Sequence, residues 1–154
     1  MRYLLDTNTV SDLYQSDSAA YLKIMQHIRK LNEDDDLLIS ILTIFELDYG
    51  YENSPEINKP SLLVKIKHIE DQLSIIPLKR EQGRWFGRVK HIFRQFRKLN
   101  KNALKKHNID IMIGSTAISE GCILVSADKI YSELAELVPE LQVENWTLGS
   151  AGRK

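Results

Sequence analysis

Tyr3-Leu4-Leu5-Asp6-Thr7-Asn8 decides how this chain folds. An apolar run begins almost at the N-terminus and stops at an acid, a hydroxyl and an amide. Its apolar residues do not alternate with polar ones, so the strand is buried on both faces, as in parallel sheets covered by helices. In open sheets of that kind, ligands sit in the crevice beyond the carboxyl ends of the strands. Asp6 stands at that point. Thr7 and Asn8 are good helix-capping types, and Val10, Leu13 and Tyr14 follow at helical spacing.

Working outward, further apolar runs at residues 37–41, 73–76 and 122–125 predict three more strands, and residues 141–146 a short edge strand. Helical spacing predicts helices over residues 19–31, 61–72, 80–100, 110–121 and 129–137. Another helix is expected from Thr43, with Glu46 three positions later at capping-box spacing. Pro55 and Pro60 bound a loop. Strands that alternate with helices predict an α/β fold, with a parallel sheet and helices on both faces. There is no internal repeat, and 154 residues suit one domain. That domain is expected over residues 1–148, with 149–154 a flexible C-terminal tail.

Composition narrows the class. Hydrophobic residues make up 43% and charged residues 27%, as in ordinary globular proteins. No apolar run approaches the roughly 18–20 residues of a membrane span. The N-terminal apolar run is too short for a secretory leader, so the expected location is cytoplasmic. One cysteine, Cys122, excludes an internal disulfide and a zinc-finger framework, and its apolar setting reads as a buried thiol. The four histidines are scattered without metal-ligand spacing.

Net charge is zero, yet the charges are segregated. Residues 79–106 hold eleven Lys or Arg against Glu81 alone, so the remainder is correspondingly acidic. Asymmetry of this kind points to an anionic partner. The basic residues of the 80–100 helix lie opposite an apolar stripe of Trp85, Val89, Ile92, Phe93, Phe96 and Leu99. Two readings compete for them: an ordinary solvated face, or a phosphate-contacting surface formed by Arg84, Arg88, Arg94 and Lys98. The aromatic side chains Trp85, Phe86, Phe93 and Phe96 read as core or dimer surface.

Four acids, Asp6, Glu46, Asp110 and Asp128, fall at strand ends or expected helix starts. Right-handed crossovers bring strand C-termini and the following helix N-termini to one edge, which places Asp6, Glu46 and Asp128 together. Asp110 joins them only if the long basic helix carries the chain back to that edge. Each acid alone reads equally as a cap or turn residue. Together they form a carboxylate cluster, whose repulsion a cation would relieve. Oxygen donors without His or Cys suit Mg²⁺ or Mn²⁺. Such an ion acidifies water and offsets charge on a phosphoryl oxygen, which serves phosphodiester hydrolysis. Asn8 and Ser126 either orient these carboxylates or act as cap and turn residues.

Taken in order, Leu4-Leu5-Asp6-Thr7-Asn8, Thr43-Ile44-Phe45-Glu46-Leu47 with Tyr49-Gly50, Asp110 through Ala117, and Leu124-Val125-Ser126-Ala127-Asp128 resemble the PIN-domain ribonucleases. The likeness is greatest to the VapC-like toxins of type II toxin–antitoxin systems. It covers nearly the whole chain. It implies a three-layer α/β/α fold with a central parallel sheet of four to five strands, and a catalytic site of Asp6, Glu46, Asp110 and Asp128. By that resemblance Asp6 and Asp110 hold Mg²⁺ directly, while Glu46 and Asp128 complete the pocket and position water. The family also implies endonucleolytic RNA cleavage, a homodimer and a cognate antitoxin protein. Ile130-Tyr131 replaces the family's usual acid and Phe, and Ser126 replaces a Thr. The alternatives are a non-catalytic PIN-like RNA-binding module and a housekeeping RNA-processing nuclease. A phosphotransfer enzyme with Asp6 as nucleophile fits less well, because Asn8 stands where a second Asp is usual.

Overall fold

The computed structural model describes residues 1–148, so the tail expected at 149–154 lies outside the described residues. The chain runs β1 (Arg2–Leu5), α1 (Thr7–Leu13), α2 (Tyr21–Ile28), β2 (Asp36–Ser40), α3 (Ile41–Glu52), a 3₁₀ turn (Glu56–Asn58) and α4 (Lys59–Gln72). It continues through β3 (Ser74–Ile76), α5 (Arg80–Arg97), α6 (Lys101–Lys105), α7 (Asn108–Glu120), β4 (Ile123–Val125), α8 (Lys129–Leu137) and β5 (Gln142–Glu144). The five strands form one parallel sheet in the order β3-β2-β1-β4-β5. This is the α/β architecture that the alternating strands and helices predict.

β1 is the middle strand, and successive side chains supply opposite faces. Leu4 joins Leu38 and Leu124 in a core closed by Phe93, Ile111, Ile113, Tyr131 and Leu134 of α5, α7 and α8. Tyr3 and Leu5 join Ile39, Ile123 and Val125 in a second core, with Val10, Ile24, Ile44 and Ile69 of α1 to α4. Both faces are therefore dry, which explains the unbroken apolar run. Each fully buried Leu or Ile in these layers stabilises the fold by roughly 1.5–3 kcal/mol. Cys122 is a buried free thiol, as expected.

Order 3-2-1-4-5 reverses direction at β1, so the crevice between β1 and β4 is the topological switch point. The ladder continues past the strand ends there. The Asp6 N–H donates to the Val125 carbonyl at 3.1 Å, and the Ser126 N–H to the Glu144 carbonyl at 3.0 Å.

α5 packs most extensively on α7 and runs antiparallel to it. Lys79, just before α5, meets Glu120 at the end of α7 at 2.7 Å. Phe93, late in α5, lies edge-on to His107, just before α7, with ring centroids 5.3 Å apart. The basic helix thus returns the chain to the start of α7. Lys98 ends α5 in a left-handed conformation (φ 50°), and the Asn100 side chain then caps α6.

Two expectations need correction. The third helix starts at Ile41, not after Thr43, because Ser40 Oγ at the strand end accepts the Leu42 N–H at 3.1 Å and caps it. Glu46 therefore lies in the second turn, and Thr43 is fully buried within the helix. Pro60 bounds no loop; it sits in the first turn of α4, where its missing N–H is harmless.

Candidate functional site

Asp6 is the most enclosed of the four acids, 4% exposed. The residue itself, and not Thr7 or Asn8, caps α1: its Oδ1 accepts the Thr9 N–H at 2.7 Å. Its Oδ2 accepts the Ser126 hydroxyl at 2.5 Å. Ser126 has one hydroxyl proton, so towards the Asp128 N–H it acts as acceptor, at 3.0 Å. Asp128 in turn caps α8 through the Ile130 N–H at 3.1 Å. One hydroxyl thus joins the end of β1 to the start of α8. The Thr9 hydroxyl adds a bond to the Val125 carbonyl at 3.1 Å.

On the β2 side, the Thr7 hydroxyl donates to Glu46 Oε1 at 2.5 Å. With that proton committed, the Thr43 hydroxyl must donate to Thr7 across 3.1 Å. Asp110 lies in the first turn of α7, half-buried. The Tyr131 hydroxyl donates to its Oδ1 at 3.4 Å.

Burial and neighbouring charge shift two of these carboxyls and one phenol. Burial raises the Asp6 carboxyl above its ordinary value; hydrogen bonds from Ser126 and Thr9 oppose the shift, and the Asp128 charge adds to it. Asp110 is also raised, by burial first, then by Asp128, with a further contribution from Glu46. His107 and the Tyr131 hydroxyl pull it the other way. The Tyr131 phenol is pushed well above its ordinary range by burial and by Asp110, Asp6 and Asp128, so it remains a donor. Hydrogen bonds tie each acid to the edge where β1 and β4 end: Glu46 through Thr7, Asp6 and Asp128 through Ser126, and Asp110 through Tyr131 of α8.

Among the described residues, no ion pair involves any of these four acids. Nor do three acids, histidines or cysteines converge there as a ready-made cage for an ion. An all-oxygen, uncompensated set of acids, with Asp6 and Asp110 raised, still fits Mg²⁺ or Mn²⁺, because Mg²⁺ takes one or two carboxylates and keeps several waters.

The other expected residues separate. Ser126 is buried between Asp6 and Asp128. Asn8 is exposed and makes no hydrogen bond to the acids. Arg84, Arg88, Arg94 and Lys98 are all exposed. Arg88 is engaged, 3.5 Å from Glu140 and stacked over Trp85 at 5.2 Å. Arg97 pairs with Glu133 at 3.6 Å. Phe93 is core, Trp85 and Phe86 pack partly against it, and Phe96 is exposed. Sequence reasoning missed the hydroxyl of Tyr131 as a neighbour of Asp110; only its departure from the family's usual Phe marked it.

A parallel α/β sheet with carboxylates gathered at its switch point defines the class. The PIN domain family model matches residues 3–137, a span that includes all four acids, and the chain belongs to that family. No curated protein matches the chain significantly in sequence. Solved structures match it in fold. VapBC2 from Rickettsia felis, bound to a DNA fragment from its promoter, is 24% identical with a TM-score of 0.73, over 95% of this chain and 99% of that one. VapBC-1 from nontypeable Haemophilus influenzae is 21% identical with a TM-score of 0.75, over 96% and 100%. VapBC-5 from Mycobacterium tuberculosis, a member of the VapBC family of toxin-antitoxin systems, is 14% identical with a TM-score of 0.65, over 94% and 98%. At such identities the likeness establishes the fold.

Among the described residues, no helix is long and apolar enough to cross a membrane.

Proposed function

We propose that this protein is a Mg²⁺-dependent endoribonuclease, the toxin of a type II toxin–antitoxin pair, with Mn²⁺ an alternative ion. The observation that carries this reading is the uncompensated carboxylate cluster at the switch point, in which Asp6 and Asp110 are both raised by burial and neighbouring acids. Asp6 and Asp110 would hold the ion. When bound, it acidifies a water and offsets charge on a phosphoryl oxygen. Asp128, exposed at the mouth, and Glu46, oriented by Thr7, would position the attacking water and take its proton. Water adds to phosphorus, and the bond to the leaving ribose oxygen breaks.

Arg84, Arg94 and Lys98 offer charge that no ion pair among the described residues consumes, and they suit a sequence-independent grip on RNA phosphates. Arg88 contributes less, being held by Glu140. The VapBC relatives support an antitoxin protein as partner. A homodimer is part of the same reading.

Purified Asp6→Asn and Asp110→Asn proteins are expected to fold, to leave RNA intact, and to have no effect on growth when expressed. EDTA is expected to stop the unmodified protein. Cleavage that survives in both variants, or in EDTA, refutes the assignment. The basic α5 favours a second reading, a non-catalytic RNA-binding module, which predicts salt-sensitive binding without metal-dependent product.

A further inference from the structure

Tyr131 is the third residue of α8 and one of the largest fully buried side chains, 1% exposed. Its ring lies along α7 over Gly114, where an added methyl would meet it at 3.8 Å. Asp110 and Gly114 are four apart and share that helix face. The ring therefore points its hydroxyl back along α7 to the Asp110 carboxylate, 3.4 Å away. A buried phenol ordinarily finds a partner, and among the described residues Asp110 is the one hydrogen-bond partner of this hydroxyl. The other oxygen, Asp110 Oδ2, accepts no hydrogen bond from the described residues. The core packing of Tyr131 needs only its ring, which a Phe would supply equally well.

We propose that Tyr131 is a positioning residue for Asp110: its hydroxyl holds Oδ1 and so presents Oδ2 to a divalent cation. This rests on the metal reading of the site. Groups that orient a ligating carboxylate typically change metal affinity by about 10–100-fold when removed. The long contact places Tyr131 at the lower end of that range.

The test is Tyr131→Phe, which removes one oxygen and keeps the ring. Mn²⁺ binding to the purified protein is followed by isothermal titration calorimetry. Tyr131→Phe is expected to weaken Mn²⁺ by about tenfold, with the far-ultraviolet circular dichroism spectrum unchanged. In RNA cleavage, the Mg²⁺ concentration for half-maximal activity should rise by a similar factor. The rate at saturating Mg²⁺ should stay within about twofold, since an orientation defect is overcome by mass action. A merely structural hydroxyl predicts no change in Mn²⁺ affinity, and that result overturns the inference. A loss of rate at saturating Mg²⁺ with unchanged Mn²⁺ affinity overturns it too. If the unmodified protein binds no Mn²⁺ and cleaves no RNA, the functional reading fails and this inference with it. Tight binding to both forms removes the inference alone.

Discussion

Ser126→Ala isolates the hydroxyl that joins β1 to α8. In the unmodified protein Ser126 is 2% exposed, and its hydroxyl donates to Asp6 at 2.5 Å and accepts the Asp128 N–H at 3.0 Å. The alanine leaves Asp6 Oδ2 buried without its donor, while Oδ1 keeps the Thr9 N–H. A hydrogen bond to a charged group contributes about 1.5–3 kcal/mol. The Asp128 N–H is only part-buried, on an exposed residue, so water replaces its lost acceptor at little cost. The expected destabilisation is therefore about 2 kcal/mol, or roughly 4–8 °C in melting temperature for a domain of this size. Urea unfolding of the metal-free protein measures it. An Asp6→Asn background supplies the control, because the serine then meets a neutral amide and its removal should cost only about 1 kcal/mol. The coupling of about 1 kcal/mol is the signature of the serine–carboxylate bond. A loss below about 0.5 kcal/mol, or the same loss in both backgrounds, refutes the reasoning.

Three further outcomes are expected. Asp110→Asn should stabilise the metal-free protein while abolishing cleavage, since the folded-state carboxyl is raised by burial and by Asp128 and Glu46; a lower melting temperature in EDTA contradicts this. Sign matters here: an acid raised on folding destabilises fully above its folded pKa, and the penalty shrinks as pH falls through that value and is gone below the unfolded value near 3.8, so the variant's advantage should shrink in mild acid. Glu120 behaves oppositely, because the Lys79 ammonium lowers its carboxyl. Its contribution is present above the unfolded value near 4.5 and is lost as pH falls through the folded one, so Glu120→Gln should flatten the acid limb of a stability–pH profile. Lys98→Gly should raise stability by about 0.5–1 kcal/mol in urea, because a side chain at φ 50° is strained and glycine is not. A loss of stability would show that the Lys98 side chain has a role of its own.

Much of this was legible beforehand, and the misses have physical causes. The unbroken apolar runs at Leu4 and Leu124 announced strands covered on both faces, and the acids after them announced the crevice. Short-range chemistry misled at α3. Thr43 and Glu46 satisfy a capping-box spacing, but Ser40 reaches the helix first and Thr43 turns inward to Thr7. Long-range contacts were not visible at all. Nothing near Arg88 reveals that Glu140 lies beside it, and nothing near Asp110 shows that Tyr131 bends over α7. The reach of Asp110 depended on the direction of α5, which only its antiparallel packing on α7 decides.

β1 precedes its neighbour β4 by more than a hundred residues of this domain. Until Val125 and Ser126 arrive, Asp6 lacks both the strand that encloses it and the hydroxyl that holds it. Asp110 and Asp128 are equally late, and domains fold largely as units once their chain is available. No fragment that ends before Ser126 can carry the assembled acids. On this strand order the four acids can meet only after residues 123–128 have been made.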